Sequence, residues 1–330
     1  MPVDERFTIR GFRNGDEAQI LHLFARSFHA PRSPEHFDWK YRQNPFGRER
    51  ISVAFDSGGI LAGHYAGYPV PFRDGRRDLL AHHVGDTMTQ LSVRHVGRGP
   101  TSVLGRTALH FYANFCERQV AFNYGFNVAN IQKFSLRFLR SDRVEPVTYR
   151  LLDAKALTPI FRRERWLRGY RLQIVQRTDR EWDQFFERVA PAYGMLVRRD
   201  ARYVQWRYLD CPDVQYIVIA IRKFLTLAGW MVFRIRDDRA TIGDALFDPD
   251  LIDAPEVLLR HVIPQWPVAR VDGWFPSRPA WFDIVLNDLG FTKQPEPQDL
   301  SLMCVPFVEN HIVPRMRQAM YYTWGDSDLF

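Results

Sequence analysis

The order of apolar and polar positions in the first half of the chain predicts an antiparallel meander flanked by helices. After a short alternating strand, apolar residues recur at helical spacing from Ile20 to Phe28, and Asn14 or Asp16 can cap this helix. Two turns rich in Asp and Gly then join successive strands as hairpins. The predicted elements are strands at 6–12, 51–55, 60–72, 78–91, 119–124 and 144–151 and further helices at 101–118 and 127–140.

A second stretch of the chain repeats the order of the first. Trp39-Lys40-Tyr41 and Trp206-Arg207-Tyr208 are each followed by a proline six residues after the tryptophan, then by a β-rich run and a glycine in the next strand. The matching positions are Pro45 and Pro212, the runs 51–55 and 216–221, and Gly63 and Gly229. This order indicates a duplication. The alternative is chance recurrence of aromatic-basic-aromatic triplets in an aromatic-rich chain.

The repeat and the chain length together predict two domains. A chain of 330 residues exceeds the usual size of one domain. We expect a first domain at 1–155, a linker at 156–170 that contains Pro159 and a basic stretch, and a second domain at 171–330. The fold class that follows is α/β (α+β), in which each domain has a mixed, mostly antiparallel central sheet flanked by helices.

Composition narrows the classes of function. The net charge is +7 and arginine carries nearly all of the positive charge, which suits a phosphate-bearing ligand or reflects a GC-rich genome. Blocks of five or more like charges are absent from the sequence, so nucleic-acid binding is not expected. Three widely spaced cysteines form neither a CxxC pair nor a disulfide framework. We expect no metal site.

A secretory signal peptide is not expected either. Asp4 and Glu5 lie where a signal peptide requires a basic start and an apolar run. The sequence has no apolar stretch of about 18 residues, so a membrane span is not expected. A cytoplasmic location is the prediction.

Glycines between the strand at 78–91 and the helix at 101–118 mark a possible anion site. Gly97 and Gly99 let the backbone approach a ligand closely, and the first helical turn presents unpaired N–H groups. Arg94 and Arg98 can add charge-assisted contacts. The segment is not a dinucleotide fingerprint, because residue 102 is Ser and the preceding strands form hairpins. It also lacks the GK[ST] sequence of a P-loop.

Three segments together resemble the GNAT acyltransferase superfamily and its tandem subfamily. Arg94-x-x-Gly97-x-Gly99 is similar to the [Q/R]-x-x-G-x-[G/A] pyrophosphate loop of that family, in the same place between strand and helix. Asp86-Thr87-Met88-Thr89 and Tyr124-Gly125-Phe126 with Asn130 resemble further segments of the tandem subfamily. The resemblance covers residues 6 to about 152 and implies a GNAT domain with acetyl-CoA or another acyl-CoA as co-substrate.

The resemblance also implies roles for individual residues. In GNAT enzymes the fourth and fifth strands splay apart and hold the pantetheine arm of CoA in the resulting V. Backbone groups of the loop would bind the pyrophosphate, main-chain groups of the fourth strand would pair with pantetheine, and an asparagine would bind the pantetheine arm. The residues concerned are Arg94, His95, Val96, Gly97, Arg98 and Gly99, then Met88, Thr89 and Leu91, and finally Asn130.

The second half departs from the family pattern at the cofactor loop. Its strands at 224–235 and 239–247 lead into Asp248-Pro249-Asp250, and the helix at 255–263 begins without a glycine turn. The segment at 281–291 is similar to the last helix of a GNAT domain. We therefore expect a degenerate GNAT-like domain that has kept the fold without the CoA site.

Candidates for the acid-base chemistry lie on the fourth strand. Asp86, His82 and His83 can serve as a general base, and strand alternation predicts His82 and Asp86 on one face with His83 on the other. The acid expected from the family is a tyrosine on the helix at 127–140, which has none, so Tyr124, water or no acid at all could serve. The tail that ends at Leu329-Phe330 is either a further source of a carboxylate or a disordered or docked segment.

These observations predict an acyl-CoA-dependent N-acyltransferase that transfers an acetyl group to a primary amine by direct attack in a ternary complex. An amino sugar of a surface-polysaccharide pathway is the acceptor that the resemblance implies, and a homodimer is possible. Two alternatives stay open: a Fem-type transferase that uses aminoacyl-tRNA, and a non-catalytic CoA-binding or scaffold protein, which the missing tyrosine favours.

Overall fold

The computed structural model describes residues 6–160, 164, 166, 168–308 and 311–330. The chain divides into two compact units, and neither is one continuous stretch of sequence. The first contains the described residues up to Pro71, Leu79–Pro146 and Leu300–Arg315, and the second contains Phe72–Asp78, Val147–Asp299 and Met316–Phe330.

The first unit is built on a sheet of seven strands in the order β1-β2-β3-β4-β5-β15-β6. Only β4 and β5 run parallel among the pairs described, at Ala81–His83 against Phe122–Tyr124. The strands are β1 (Phe7–Gly11), β2 (Arg50–Asp56), β3 (Leu61–Asp74), β4 (Arg77–Thr89), β5 (Phe122–Asn127), β6 (Asp142–Pro146) and β15 (Ser301–Pro306). The helices are α1 (Glu17–Phe28), α2 (Pro34–Phe37), α3 (Val103–Phe111) and α4 (Ala129–Phe138).

The second unit has its own seven-stranded sheet, in the order β8-β10-β11-β12-β13-β7-β14. A further short strand, β9 (Met195–Val197), pairs with Phe72–Asp74 at the far end of β3. The strands are β7 (Tyr149–Asp153), β8 (Tyr170–Ile174), β10 (Ile217–Lys223), β11 (Thr226–Arg236), β12 (Arg239–Phe247), β13 (Arg270–Trp274) and β14 (Thr292–Gln294). The helices are α5 (Arg180–Val189), α6 (Ala201–Val204), α7 (Ala254–Val262), α8 (Ala280–Asp288) and α9 (Ile312–Ala319), the last of which begins in the first unit.

Five neighbouring strands follow chain order in each sheet, β1-β2-β3-β4-β5 in the first and β8-β10-β11-β12-β13 in the second. In both, one parallel pair lies at the centre, β4–β5 in the first and β12–β13 in the second. The sixth strand differs in origin: β15 of the first sheet returns from beyond residue 299, whereas β7 of the second sheet precedes the other strands of its own sheet in the chain. The predicted fold class, two mixed and mostly antiparallel sheets flanked by helices, is thus confirmed.

The observed strands and units differ from two predictions. The single strand expected at 144–151 is two strands, β6 and β7, which lie in different sheets because the chain crosses between units at Pro146–Val147. The expected division at 156–170 therefore differs from the observed units, and part of that segment lies outside the described residues. Sequence spacing gave no sign that residues 300–315 return to the first sheet.

The repeated triplets occupy matching turns of the two units. Trp39-Lys40-Tyr41 lies in the π-helical turn Asp38–Arg42 that follows α2, and Trp206-Arg207-Tyr208 lies in the π-helical turn Gln205–Leu209 that follows α6. Both short helices are capped by a polar side chain, from Ser33 and Asp200.

The first sheet has a separate apolar cluster on each face. One face packs against α1 and α2 through residues such as Leu23, Val53 and Met88. The other packs against α3 and the turn after it through residues such as Phe111 and Tyr112. We call these the α1 face and the α3 face. Within the described residues, the helices are all too short or too polar to cross a membrane.

Candidate functional site

The first feature of the site is a gap that opens between two strands of the first sheet. β4 and β5 pair in parallel only from Ala81 to His83, after which β4 continues to Thr89 on its own course. At the point of divergence, a Cβ atom on Gly125 would lie 2.9 Å from the Val84 carbonyl oxygen, so glycine permits the close approach there. The strands thus form a V, as the resemblance to GNAT enzymes implies.

A cavity of about 600 Å³ lies at the open end of this V. Its walls come from the end of β4, the loop after it, the start of α3 and one side of α4. The lining residues are Thr87, Met88, Thr89, Val93, Arg94, Gly97, Arg98, Gly99, Ser102, Val103, Leu104, Asn130, Ile131, Phe134 and Phe138. The cavity therefore brings together the edge of β4 that faces away from β3 and a basic, glycine-containing loop.

Gly97 and Gly99 shape the loop because both adopt left-handed backbone angles, with φ of 70° and 54°. A Cβ on Gly97 would lie 2.4 Å from the Thr101 carbonyl oxygen, and one on Gly99 would meet the Phe138 ring at 2.6 Å. Ser102 then caps α3, since its Oγ accepts a hydrogen bond from the Gly105 amide at 3.1 Å. The remaining amides of this helix start are available to an anion.

The predicted cofactor residues divide into two groups. Met88, Thr89, Arg94, Gly97, Arg98, Gly99 and Asn130 line the cavity. Leu91, His95 and Val96 do not belong to its described lining, because β4 ends at Thr89 and the chain turns away. Leu91 is 71% exposed, and Val96 packs against the cluster around Phe7 and Val103. The expected pairing of Leu91 with a ligand along the strand is thus not supported by its position.

Asp86 in β4 has a left-handed φ of 51°. Val84 packs on the α3 face and Met88 on the α1 face, so the side chains change face near Asp86, which indicates a bulge. Its Oδ2 accepts hydrogen bonds from the Arg32 guanidinium at 2.5 Å, the Lys40 ammonium at 2.8 Å and the Tyr41 hydroxyl at 2.7 Å. Burial alone would raise the pKa of Asp86, but the charges of Arg32 and Lys40 and these hydrogen bonds hold it well below its ordinary value. The carboxylate is therefore ionised and a weak base.

The bulge reverses the predicted facing of the strand. His83 packs beside Tyr68 on the α1 face, and Asp86 meets Lys40 on that same face. His82 lies on the α3 face against Phe111. The prediction that His82 and Asp86 share a face is wrong, since one extra residue at the bulge shifts the alternation of side chains beyond it.

His82 is fully buried and held as a neutral ring. Its Nε2 lies 2.7 Å from an Arg50 guanidinium nitrogen, which can only donate, and its Nδ1 lies 3.2 Å from Asn123 Oδ1. Burial, followed by the charge of Arg50, lowers the pKa of His82 to about 3. His82 is thus unsuited to accept a proton near neutral pH.

His83 and Tyr124 meet at the vertex of the V. They are the last pair in the parallel register, and their ring centroids lie 5.1 Å apart in an edge-to-face arrangement. Tyr124 lies within β5, which covers the end of the strand predicted at 119–124. The structure therefore brings His83, Tyr124 and Asp86 to the same face at one end of the V.

The second unit repeats the polar cluster around Asp86. Arg199 and Tyr208 bond to Asp244 at 2.8 and 2.7 Å, as Arg32 and Tyr41 bond to Asp86. β12 also has a register shift beside Gly243, and a Cβ on Gly273 would lie 3.0 Å from the Ile242 carbonyl oxygen, as at Gly125.

Sequence reasoning missed this second cluster, although two signals were available. Arg32 and Arg199 each precede the repeated tryptophan by seven residues, and Val84-Gly85-Asp86 matches Ile242-Gly243-Asp244. The tail at Leu329-Phe330, for which docking was one expectation, is docked within the second unit, where Phe330 is 5% exposed. In the described part of the chain, no group of three or more His, Cys, Asp or Glu side chains is placed to hold a metal ion.

Comparison with known proteins agrees with this geometry. Residues 8–135 match the acetyltransferase (GNAT) domain family. A search of curated proteins finds no match. A GCN5-related N-acetyltransferase from Anabaena variabilis has a similar structure with a TM-score of 0.68 and 12% identity, covering 91% of this chain and 72% of its own.

Two further solved structures share the fold at low identity. A probable N-acyltransferase from Enterococcus faecalis gives a TM-score of 0.66 with 12% identity and covers 91% of this chain and 73% of its own. Yeast (Saccharomyces cerevisiae) N-myristoyltransferase, solved with myristoyl-CoA, gives 0.58 with 10% identity and covers 92% and 84%. Residues 8–135 thus match a GNAT acetyltransferase domain, in a chain that shares the fold of GNAT N-acetyltransferases.

Proposed function

We propose that this protein is an acyl-CoA-dependent N-acyltransferase that moves an acetyl group from acetyl-CoA to a primary amine. The observation that carries the proposal is the cavity between the splayed end of β4, the Gly97–Gly99 loop and α4. An extended thioester with a pyrophosphate needs this combination of free strand edge and basic helix start. The match of residues 8–135 to an acetyltransferase domain supports it.

Several residues would hold the co-substrate in this arrangement. The backbone around Gly97 and Gly99, with the guanidinium groups of Arg94 and Arg98, would bind the pyrophosphate. Main-chain groups of Met88 and Thr89 would pair with the pantetheine arm, because β4 has left its parallel partner there. Asn130, at the start of α4, would donate or accept a further hydrogen bond.

The reaction would be a direct transfer in a ternary complex. The neutral amine attacks the thioester carbonyl carbon, a C–N bond forms, and the C–S bond breaks to release the CoA thiolate. The amine gives up one proton, and the thiolate gains one, so the step needs no further reactant. A group that accepts the first proton and a group that supplies the second complete the chemistry.

We assign these two tasks to the pair at the vertex of the V. His83 would accept the proton from the amine, and Tyr124 would supply a proton to the thiolate in place of the tyrosine missing from α4. Their adjacency where β4 leaves β5 supports this assignment. Asp86 would instead position the strand, since three donors hold one of its oxygens and its pKa lies well below the ordinary value.

The class of acceptor rests on the names of similar solved structures and on the family resemblance. A primary amine fits the N-acyl transfer in the names of similar solved structures. An amino sugar of a surface-polysaccharide pathway is the first class to test, on the family resemblance alone.

Calorimetric titration with acetyl-CoA tests the proposal. The wild type should bind, and Arg98→Gln should weaken binding by about tenfold through loss of one charge-assisted contact. Gly97→Ala should abolish binding, because a Cβ collides with the Thr101 carbonyl at a left-handed backbone position. Arg76→Gln, an exposed arginine in the β3–β4 turn, is the matched control and should bind like the wild type.

Turnover separates the proposal from its rivals. With an amine that the wild type acetylates, His83→Gln and Tyr124→Phe should lower kcat by about a hundredfold or more while acetyl-CoA affinity is kept. Binding of acetyl-CoA without transfer to any amine would point to a non-catalytic CoA-binding protein. Absence of acetyl-CoA binding in the wild type would refute the proposal, and binding of aminoacyl-tRNA would then favour a Fem-type transferase.

A further inference from the structure

We infer that the second unit contains a peptide-binding site, formed where the first unit has its proposed reaction site, and that its ligand is the C-terminal segment 321–330 of the same chain. This inference concerns the second unit alone and goes beyond the proposed function. It rests on where the segment lies relative to the repeated cluster of Arg199, Tyr208 and Asp244.

The location follows from the internal repeat. Gly243 and Asp244 in β12 correspond to Gly85 and Asp86 in β4, at the bulge where the parallel strands separate. In the second unit the Phe330 ring lies directly over Gly243: a Cβ there would come within 1.8 Å of the ring. The Phe330 ring therefore fills the position above the bulge.

Arg199 links the segment to the strand through two carboxylates. Its Nε donates to Asp244 Oδ1 at 2.8 Å and its guanidinium donates to Asp326 Oδ2 at 2.6 Å, with all three side chains fully buried. The Thr323 hydroxyl lies 3.0 Å from Asp244 Oδ1, and the Thr323 amide donates to Asp326 at 2.8 Å. The buried Arg199 guanidinium thus joins a side chain of the segment to a side chain of β12.

Backbone groups of the segment are bound as those of a peptide ligand would be. Arg207 donates to the carbonyl oxygens of Gly325 at 3.2 Å and Ser327 at 2.9 Å. The Tyr216 hydroxyl donates to the Phe330 carbonyl oxygen at 2.7 Å, and the two rings stack with centroids 4.9 Å apart. These contacts bind main-chain carbonyl groups and the aromatic ring of Phe330.

Aromatic stacking fixes the middle of the segment. The Trp324 indole lies parallel to Trp274 of β13, with centroids 4.9 Å apart and an interplanar angle of 6°. The Tyr321 hydroxyl donates to the Ala245 carbonyl oxygen of β12 at 2.7 Å. Both strands that diverge at the vertex of the second V, β12 and β13, thus contact the segment. The site therefore binds an acidic, aromatic segment.

Two measurements on the full chain test this inference. Carboxypeptidase digestion below the melting temperature, followed by mass spectrometry, should release Phe330 at least about tenfold more slowly than from a free peptide of residues 321–330. Gly243→Ala should remove that protection, because its new methyl group displaces the Phe330 ring. Gly229→Ala is a matched control, since its Cβ meets only the Phe247 ring among its nearest atoms.

A thermal double-mutant cycle gives an independent answer. Gly243→Ala should lower Tm in the wild-type background and have little effect in a Phe330→Ala background, because the collision needs the ring. Equal effects in both backgrounds, or release of Phe330 from the wild type as fast as from the free peptide, would overturn the inference. Acetyl-CoA titration of the same variants reports separately on the proposed function.

Discussion

The Tyr41 hydroxyl donates a hydrogen bond of 2.7 Å to Asp86 Oδ2. The same contact recurs between Tyr208 and Asp244 at 2.7 Å, in a unit that lacks the glycine loop after its corresponding strand. Because this contact occurs in both units, we assign it to stabilising the fold, which the two units share. The glycine loop and the His83–Tyr124 pair occur only in the first unit and are therefore the better candidates for chemistry.

Asp86→Asn tests this division. Loss of the charge leaves Arg32 and Lys40 without their shared carboxylate, so the free energy of unfolding should fall by about 3 kcal/mol and acetyl-CoA affinity should fall as the bulge relaxes. Asp244→Asn is the control, with a similar loss of stability and unchanged acetyl-CoA affinity. Denaturant titration and calorimetry measure the two effects. An Asp86→Asn protein with normal affinity and stability but no turnover would identify Asp86 as the base.

Gly125→Ala should disturb the geometry of the V where β4 leaves β5. A Cβ at this position lies 2.9 Å from the Val84 carbonyl oxygen, so the strands must move apart, at a cost of about 1–3 kcal/mol in unfolding free energy and with weaker acetyl-CoA binding. Gly273→Ala makes the corresponding change in the second unit and should affect stability alone. Equal loss of acetyl-CoA affinity in both variants would contradict the assignment of the site to the first unit.

Acid should destabilise the protein through two buried histidines. Burial lowers the pKa of His82 to about 3 and that of His64 to about 4, below the ordinary value of 6.5. Both rings therefore stay neutral in the folded state, so their contribution to stability is complete above pH 6.5 and is lost as pH falls toward these values. Each should contribute a slope of about 1.4 kcal/mol per pH unit between pH 6.5 and 4.

His82→Gln keeps a polar group between Arg50 and Asn123 but cannot titrate. The slope of unfolding free energy against pH between 6.5 and 4 should become smaller by about 1.4 kcal/mol per pH unit, the contribution of one histidine. Urea titrations at several pH values measure this slope, and an unchanged slope would show that His82 takes no part in it.

Asp326 should give the opposite dependence. Burial and the nearby charge of Asp244 raise its pKa to about 6, despite Arg199, so the folded state favours the protonated acid. Its contribution to stability is present below the ordinary value of 3.8 and is lost as pH rises through about 6. The stability of the wild type relative to Asp326→Asn should therefore decrease between pH 4 and 6. A difference that stays constant over this range would contradict the raised pKa.

Local patterns predicted much of the fold because they report on single elements. Alternation and hairpin turns gave β2, β3, β4, β11 and β12 to within a few residues. The face of the sheet to which each β4 side chain points was predicted correctly only up to the bulge at Asp86. A left-handed φ at a residue other than glycine cannot be recognised from the alternation of apolar and polar residues. The same limit explains Leu91: the strand ends where Gln90 turns to bond Ala62, a contact that no spacing reveals.

The sequence by itself determined the repeated order of elements, the glycine loop and the absence of a second loop, because each depends on residues close together in the chain. Tertiary structure decided which strands complete each sheet, the pairing of Arg199 with Asp244 and Asp326, and the place of the tail over Gly243. These features join residues far apart in sequence, and they form because burying an arginine or an aromatic ring is favourable only when its distant partners are present.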